Sequence, residues 1–325
     1  MVMKRDHGGN LSQARDTYGD GAWIDLSTGI NRRPYPLPQI SAEAWSALPT
    51  IDAQSALVKA AAKAFGVEPG NVLPLAGAQA AIQLYPLLRT PDLARVITPT
   101  YNEHVAALKT HGWTVQTVAD LNDLAGAKIA VVVNPNNPDG RRYSPDALRK
   151  VAKTVGLLVV DESFADPHRD LSVAQYAGDR ILVLRSFGKF YGLAGVRLGF
   201  AVGGADMLAT LSAMAGPWPV CGPALQIGTV ALTDEAWAQE TTARLTEDAA
   251  RLDALARRMG WALLGGTALF RTYVTPSAQQ AQDHLARHHI WSRRFPYSKE
   301  WLRLGLPDGM EWTRIEAALT AAGSP

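Results

Sequence analysis

A hydroxyl, an amine and a guanidinium follow an apolar run that is typical of a buried strand. The run is Ile181 to Leu184, and Ser186, Lys189 and Arg197 come after it among glycines. Ligands of open α/β sheets sit just beyond the carboxyl ends of strands, so these side chains are well placed for binding. Serine and arginine can hold a phosphate, and a desolvated lysine can condense with a carbonyl to form a Schiff base. The combination suggests pyridoxal phosphate.

A lysine between glycines is usually a solvated surface residue, so this interpretation needs further support. Two other strand ends provide it. The apolar run Leu157 to Val160 ends in Asp161. A carboxylate there needs a partner, and a protonated pyridine nitrogen would keep it ionised. The β-branched run Lys128 to Val133 ends in the loop 134–140, where prolines flank a pair of asparagines. Such a loop is rigid and exposes amide side chains at the end of the strand.

Two earlier strand ends carry weaker signals. The run Val72 to Leu75 leads into Gly77-Ala78-Gln79 and then a helical segment. Small residues at a helix start let backbone N–H groups approach a phosphate, although they also occur where a helix simply packs closely. Tyr101 follows the strand Val96 to Pro99 in a loop with Glu103 and His104. Its ring could stack on a planar cofactor or merely cover the edge of the sheet.

Strand-like runs alternate with helical segments through the middle of the chain, the pattern of a mostly parallel α/β sheet. One helix is predicted from Asp52 to Phe65, because the segment is rich in strong helix formers and Gly66 follows it. Another is predicted from its capping residue Ser144 to Thr154. A long amphipathic helix over 235–259 indicates that the chain leaves the central domain there.

The chain has 325 residues, more than one typical core holds, so one large and one smaller domain are expected. The predicted organisation is an N-terminal segment over 1–44 that joins the small domain, a large cofactor-binding domain over 45–230, and a small C-terminal domain over 231–325. The fold class predicted is α/β, with a mostly parallel central sheet, helices on both of its faces, and a smaller α/β domain.

Composition narrows the class of protein. Hydrophobic residues make up 47% of the chain and charged residues 19%, and the net charge is +2, which favours neither nucleic acid nor an anionic membrane as a partner. The single cysteine, Cys221, excludes an intramolecular disulfide and a zinc cluster of thiolates, so no metal is expected. No signal peptide or membrane span is evident in the sequence. A cytoplasmic enzyme with a small-molecule substrate is expected.

Taken together, these motifs resemble the aspartate-aminotransferase (fold type I) family of pyridoxal-phosphate enzymes, and the resemblance spans nearly the whole chain. It implies that Lys189 is the Schiff-base lysine, that Asp161 pairs with the pyridine nitrogen and that Asn137 bonds the phenolic oxygen of the cofactor. It also implies that Tyr101 lies against the ring. The residues implied for the rest of the cofactor, mainly its phosphate, are Gly77, Ala78, Gln79, Ser186 and Arg197.

The chain ends are most similar to the threonine-phosphate decarboxylase group of cobalamin synthesis, with the histidinol-phosphate aminotransferases as neighbours. The motifs that carry this similarity are 7–10 (HGGN) and 26–31 (LSTGIN). It implies that Arg303 binds the substrate carboxylate. Arg293 and His7 are candidates for the substrate phosphate, with Arg294 as an alternative to Arg293, and Asn31 is a further candidate for substrate binding. A small domain made from both chain ends would close over the ligand.

Two positions depart from the family pattern. Phe164 stands where many relatives have a tyrosine that bonds the phenolic oxygen, which removes one hydrogen bond from the cofactor. Leu48-Pro49-Thr50 stands where many have a tyrosine that reaches across a dimer interface. A homodimer remains the expectation from the resemblance, without a tyrosine contributed from that segment.

The expected reaction is decarboxylation of O-phospho-L-threonine to 1-aminopropan-2-yl phosphate. Transamination of a phosphorylated amino acid, as in histidinol-phosphate aminotransferase, is the alternative, since both reactions use the same lysine. A DNA-binding regulator built on this fold would need a winged-helix module, and only about two dozen residues precede the first predicted strand, too few for one.

Overall fold

The computed structural model describes residues 6–321, and it divides into two compact units. The larger unit comprises residues 34–137 and 141–238. The smaller unit comprises the described residues up to Arg33, the loop Pro138–Gly140, and the described chain from Gln239 onward. The domain boundaries expected from the sequence, at 44/45 and 230/231, stay predictions.

The strands of the described chain fall between residues 24 and 305. They are β1 (Ile24–Asp25), β2 (Val72–Leu75), β3 (Leu93–Ile97), β4 (Thr114–Val118), β5 (Ile129–Val133), β6 (Leu157–Asp161), β7 (Ile181–Ser186), β8 (Gly199–Val202), β9 (Ala262–Thr267), β10 (Phe270–Val274), β11 (Ile290–Trp291), β12 (Arg293–Phe295) and β13 (Ser298–Gly305).

Helices connect most of these strands, with short 3₁₀ turns between them. They are α1 (Leu11–Tyr18), α2 (Ala42–Ser46), α3 (Ile51–Phe65), α4 (Ala78–Leu84), α5 (Glu103–Thr110), α6 (Pro145–Ala152), α7 (Phe187–Phe190), α8 (Ala205–Ala215), α9 (Gly222–Thr233), α10 (Glu235–Arg258), α11 (Ala278–Arg287) and α12 (Trp312–Ala321).

The larger unit is built on a seven-stranded sheet in the order β2-β8-β7-β6-β5-β3-β4. The strands from β7 to β4 pair in parallel, whereas β8 runs antiparallel to both β7 and β2. The α/β class with a mostly parallel central sheet is confirmed. Every residue of β5 and β6 is buried, as their unbroken apolar sequences predicted. The carboxyl ends of β5, β6 and β7 therefore lie side by side.

Local signals fix where the helices begin and end. The predicted helix around 52–65 is α3, which Thr50 caps by accepting a hydrogen bond from Ala53 N, and Gly66 ends it in the left-handed region at φ 68°. Ser144 caps α6 in the same way. The sequence interpretation was wrong for Glu103 and His104, which belong to the first turn of α5 rather than to a loop.

The smaller unit contains a four-stranded antiparallel sheet in the order β12-β13-β10-β9, and a two-residue parallel pair of β1 with β11. Arg293 on β12 is the register partner of Arg303 on β13. The loop Pro138–Gly140 joins this unit closely, since a Cβ on Gly265 would lie 2.1 Å from the main-chain oxygen of Asp139. Among the described residues, no helix is both long enough and apolar enough to cross a membrane.

Candidate active site

A cavity of about 140 Å³ opens in the larger unit at the carboxyl ends of the central strands. All nine residues proposed from the sequence as cofactor contacts line it. They are Gly77, Ala78, Gln79, Tyr101, Asn137, Asp161, Ser186, Lys189 and Arg197. Residues separated by up to 120 positions thus meet at one place, because β2, β8, β7, β6 and β5 are successive neighbours in the sheet.

Asp161 is the buried anion of this cavity. Its Oδ2 lies 2.9 Å from His104 Nε2, while Oδ1 accepts hydrogen bonds from the Ser163 hydroxyl at 2.5 Å and the Ser163 main-chain N–H at 2.9 Å. Burial by itself would raise the pKa of Asp161, but His104 and Ser163 outweigh it and lower the pKa below its ordinary value. The carboxylate is therefore held ionised and able to partner a cation in the cavity.

Behind Asp161 lies a chain of contacts that the sequence interpretation missed. The second ring nitrogen of His104, Nδ1, is 3.3 Å from the hydroxyl of Tyr85, and both side chains are fully buried. Burial, with a contribution from Asp161, raises the pKa of Tyr85. The signal available in the sequence was the closeness of His104 to Tyr101, whose ring lies 6.2 Å from that of His104 between centroids.

Lys189 is presented by α7, the single turn that follows β7. Its Nζ lies 5.8 Å from the centre of the Phe164 ring, which also lines the cavity. Beneath Lys189, the ring of Tyr191 is stacked between those of Phe187 and Trp237, at 4.4 and 5.4 Å between centroids. These stacked rings, of which Phe187 and Tyr191 are buried, restrict the backbone of α7 and so limit the movement of Lys189.

Gly77 and Arg197 meet at the edge of the cavity. Gly77 caps α4 with φ 80°, and a Cβ at that position would lie 2.7 Å from Arg197 Nη2. Arg197 itself has φ 54°, which is uncommon for a residue with a side chain. The glycine therefore leaves room for the guanidinium beside the start of α4, where an anion would also meet backbone N–H groups.

Only one asparagine of the loop after β5 faces the cavity. Asn137 lines it, while the side-chain amides of Asn134 and Asn136 form hydrogen bonds within the fold. Asn134 bonds the main chain of Tyr143, and Asn136 bonds the main-chain oxygen of Pro99. The expectation that this strand end exposes several amides was therefore too broad, because two of them satisfy buried backbone groups.

Arg185, near the carboxyl end of β7, is buried and forms ion pairs with two carboxylates. Its Nη1 donates to Glu162 at 2.9 Å and its Nη2 donates to Asp166 at 2.5 Å. Glu162 also accepts from Ser172 and from the main-chain N–H of Val173. Burial raises the pKa of Glu162, although all of these contacts oppose the shift.

The smaller unit holds the residues proposed for the substrate phosphate. A cavity of about 250 Å³ is lined by His7, Arg293 and Arg294, among others. Arg293 is engaged there by Asp6: its Nη1 donates to Oδ1 at 3.0 Å, and its Nη2 lies 2.8 Å from Oδ2. Arg294 donates from Nε to Gln282. The two arginines thus differ, since one faces a carboxylate and the other a neutral amide.

Arg303 and Asn31 also lie in the smaller unit, and both are buried. Arg303 donates from Nη2 to the main-chain oxygen of Ser27 at 2.7 Å, and its guanidinium stacks 5.1 Å from the centre of the Phe270 ring. Burial, reinforced by the nearby Arg293, lowers the pKa of Arg303. An anionic ligand would raise the pKa of Arg303 again, because it would stabilise the charged guanidinium. Asn31 accepts from Arg244 at 2.9 Å.

The cavity of the larger unit fits pyridoxal phosphate by the chemistry of its donors. An ionised carboxylate, Asp161, can face a protonated ring nitrogen, and Lys189 can attach the aldehyde carbon. The space at Gly77 that a Cβ would fill lies against a guanidinium, as a phosphate would require. Phe164 offers no hydroxyl to the phenolic oxygen, but the side-chain amide of Asn137, which also lines the cavity, can donate a hydrogen bond to it.

Comparison with known proteins agrees with this geometry. Residues 23–321 match the family described as aminotransferase class I and II. The chain is 40% identical to the threonine-phosphate decarboxylase of Pseudomonas aeruginosa, over 98% of each chain. It is also 40% identical to the protein of that name from a Sinorhizobium species, over 96% of this chain and 97% of the other.

A solved structure shares the fold. Histidinol-phosphate aminotransferase from Sinorhizobium meliloti, in complex with pyridoxal-5′-phosphate, superposes with a TM-score of 0.84 over 99% of this chain and 96% of the other. The two sequences are 19% identical. At that identity the similarity establishes the fold, including the arrangement of the central sheet.

Proposed function

Because the chain belongs to the aminotransferase class I and II family, we propose that it is a pyridoxal-phosphate-dependent decarboxylase of O-phospho-L-threonine. The observation that carries the proposal is the 40% identity to threonine-phosphate decarboxylases over almost the whole chain. The reaction releases carbon dioxide, adds a proton to the α-carbon and leaves 1-aminopropan-2-yl phosphate. Cobalamin synthesis is the pathway that the resemblance implies.

The residues of the larger unit would serve the bond cleavage. When bound, pyridoxal phosphate supplies an electron sink for the bond broken at the α-carbon. Asp161, held ionised by His104 and Ser163, would keep the ring nitrogen protonated. Lys189 would hold the cofactor, and its Nζ would deliver a proton to the α-carbon. Asn137 and Arg197 would fix the cofactor in the cavity.

The substrate-binding residues would decide which bond breaks. The bond set perpendicular to the cofactor ring is the labile one, so the substrate must be held with its carboxylate in that position. Arg303 would bind the carboxylate, and Arg293 with His7 would bind the phosphate. A guanidinium presents a planar fork of donors to either group, which makes it suited to orient the substrate.

A product assay with O-phospho-L-threonine tests the proposal. Carbon dioxide without a 2-oxo acid supports decarboxylation. Formation of an oxo acid would instead establish the second candidate, transamination of a phosphorylated amino acid. The solved histidinol-phosphate aminotransferase does not favour that candidate, because 19% identity establishes only a common fold.

We also propose that the protein is a homodimer. Three large apolar side chains at the junction of α2 and α3 are strongly exposed: Trp45 at 71%, Leu48 at 65% and Ile51 at 84%. Several large apolar side chains exposed within one short segment are typical of an interface. Light scattering at micromolar concentration measures the state directly, and a fully active monomer would contradict the proposal. The variant Ile51→Asp should weaken the dimer.

A further inference from the structure

Arg185 clamps the turn that contains two residues of the cavity. The turn begins at Glu162 and reaches Asp166, and the two carboxylates at its ends bind the same guanidinium at 2.9 and 2.5 Å. Between them, Ser163 and Phe164 line the cavity. The clamp is buried, since the side-chain exposures are 6% for Arg185, 0% for Glu162 and 14% for Asp166. Water therefore screens these charges poorly.

The same contact joins the ends of β6 and β7. The last paired residues of these strands are Asp161 and Leu184, and Glu162 N donates to the oxygen of Leu184 at 2.8 Å. The ion pair of Glu162 with Arg185 lies one residue further along each strand. Asp161 and Ser186, the neighbours of this pair in the sequence, both line the cavity.

We propose that Arg185 is a positioning residue for Asp161, acting through Ser163. By holding both ends of the turn, Arg185 keeps the Ser163 hydroxyl and main-chain N–H on Asp161 Oδ1, at 2.5 and 2.9 Å. Each of these hydrogen bonds stabilises the ionised carboxylate. The inference rests on the proposed function in one respect, that Asp161 faces the ring nitrogen of the cofactor.

A change in the clamp would affect Asp161 through the groups that surround this carboxylate. His104 approaches from α5 with Tyr85 behind it, Ser163 approaches from the turn, and Lys189 lies in the same cavity. The carboxylates of Glu162 and Asp166, at the two ends of the turn, are both bound by Arg185. If the turn loosens, His104 remains on Oδ2 while Oδ1 loses its donors. The carboxylate then becomes a weaker partner for a protonated ring nitrogen.

The test is a titration of the ring nitrogen in the holoenzyme, loaded with cofactor labelled with ¹⁵N at that position. The variant Asp166→Asn removes one arm of the clamp and keeps the pair of Arg185 with Glu162. We expect the nitrogen to lose its proton about half to one pH unit lower than in the wild type, which corresponds to part of one charge-assisted hydrogen bond. Ser163→Ala should shift it in the same direction.

Asp146→Asn is the matched control, because it breaks an exposed ion pair with Arg149 in the same unit and should shift nothing. A lower kcat with an unchanged KM for phosphothreonine should accompany the shift in Asp166→Asn, since the proposed substrate contacts lie elsewhere. The inference is overturned if Asp166→Asn lowers stability while the nitrogen titrates as in the wild type. It is also overturned if only Ser163→Ala shifts the nitrogen. Failure of the wild type to bind cofactor or to use phosphothreonine would instead count against the proposed function.

Discussion

His104 Nε2 lies 2.9 Å from Asp161 Oδ2, and both side chains are buried. The pair joins the start of α5 to the end of β6, two elements that are distant in the sequence. Burial raises the pKa of such a carboxylate, and it is the hydrogen bonds from His104 and Ser163 that reverse the direction. Much of the charge in the cavity therefore depends on a histidine outside the predicted set of site residues.

The variant His104→Phe should make stability depend on pH in a new way. In the wild type the lowered pKa of Asp161 contributes stability above the ordinary value of 3.8, and this is lost as the pH falls through the folded pKa. Without His104, burial should dominate and raise the pKa, so the ionised form becomes costly in the folded state. The difference in free energy of unfolding between the two proteins should therefore grow from about pH 4 to pH 8.

Denaturant unfolding across that pH range measures the effect. Tyr85→Phe is the control, because it removes only the hydroxyl 3.3 Å from His104 Nδ1. Its cost of about 1 kcal/mol should be nearly independent of pH. A difference for His104→Phe that stays flat from pH 4 to pH 8 would show that His104 does not govern the ionisation of Asp161.

Lys189→Ala should lose the covalently attached cofactor and nearly all turnover. Borohydride treatment of the wild type, followed by peptide mass spectrometry, should find the cofactor on Lys189. Lys150→Ala is a matched control, since that lysine is exposed on α6. Full activity in Lys189→Ala would contradict the whole assignment of the cavity.

Gly77→Ala should weaken cofactor binding by tenfold or more. The added Cβ would lie 2.7 Å from Arg197 Nη2 and displace the guanidinium from the place of the phosphate. Gly126→Ala isolates the backbone effect, because Gly126 has φ 81°, close to the 80° of Gly77, and nothing lies within 4 Å of its Cβ position. Both variants should lose about 1–3 kcal/mol of stability, because the backbone at both positions has a positive φ. Fluorescence titration with cofactor should separate them, and equal affinities would remove the role given to this contact.

Arg293→Ala should lower kcat/KM for phosphothreonine by about tenfold to a hundredfold, the cost of a buried charge-assisted contact. It should barely change the rate with unphosphorylated threonine, which we expect to be a poor substrate for the wild type. Because Arg293 pairs with Asp6, the variant also leaves a carboxylate behind, and the double variant Asp6→Asn/Arg293→Ala removes that charge. Arg287→Ala, at the exposed end of α11, is the control.

Steady-state kinetics of wild type and Arg293→Ala on both substrates shows whether the loss caused by the substitution differs between phosphothreonine and threonine. Equal losses on phosphothreonine and threonine would show that Arg293 supports the fold rather than the phosphate. Arg294→Ala tests the alternative assignment, and a larger loss on phosphothreonine than in Arg293→Ala would make Arg294 the ligand of the phosphate. His7→Ala should change the two substrates in the same sense as Arg293→Ala.

The cavity could be predicted from the sequence because its residues follow unbroken apolar runs. Such runs are typical of parallel strands, and parallel strands bring their carboxyl ends to one edge. Lys189, Asp161 and Asn137 were found in this way. Their convergence needed no knowledge of strand order, since β5, β6 and β7 follow one another both in the chain and in the sheet.

Contacts between distant segments could not be predicted in the same way. The strand β4 was missed because its residues are exposed or half-buried and show no apolar run. The pairing of Asp6 with Arg293 joins residues nearly 290 positions apart, and one acidic side chain among many gives no signal of it. His104 was visible as a residue, but its partner depends on where α5 packs against the sheet.

The pairing of β1 with β11 bears on how the protein acquires its structure during synthesis. Ile24 and Asp25 pair with Ile290 and Trp291, so β1 cannot form this pairing until almost the entire chain has been synthesised. The sheet of the larger unit, in contrast, is complete once Val202 has been made. Closing a long loop costs entropy that only the finished contact repays, so the larger unit, with its cofactor cavity, should fold first. The larger unit would thus be able to bind cofactor before the arginines that we propose for the substrate, in the smaller unit, have been placed.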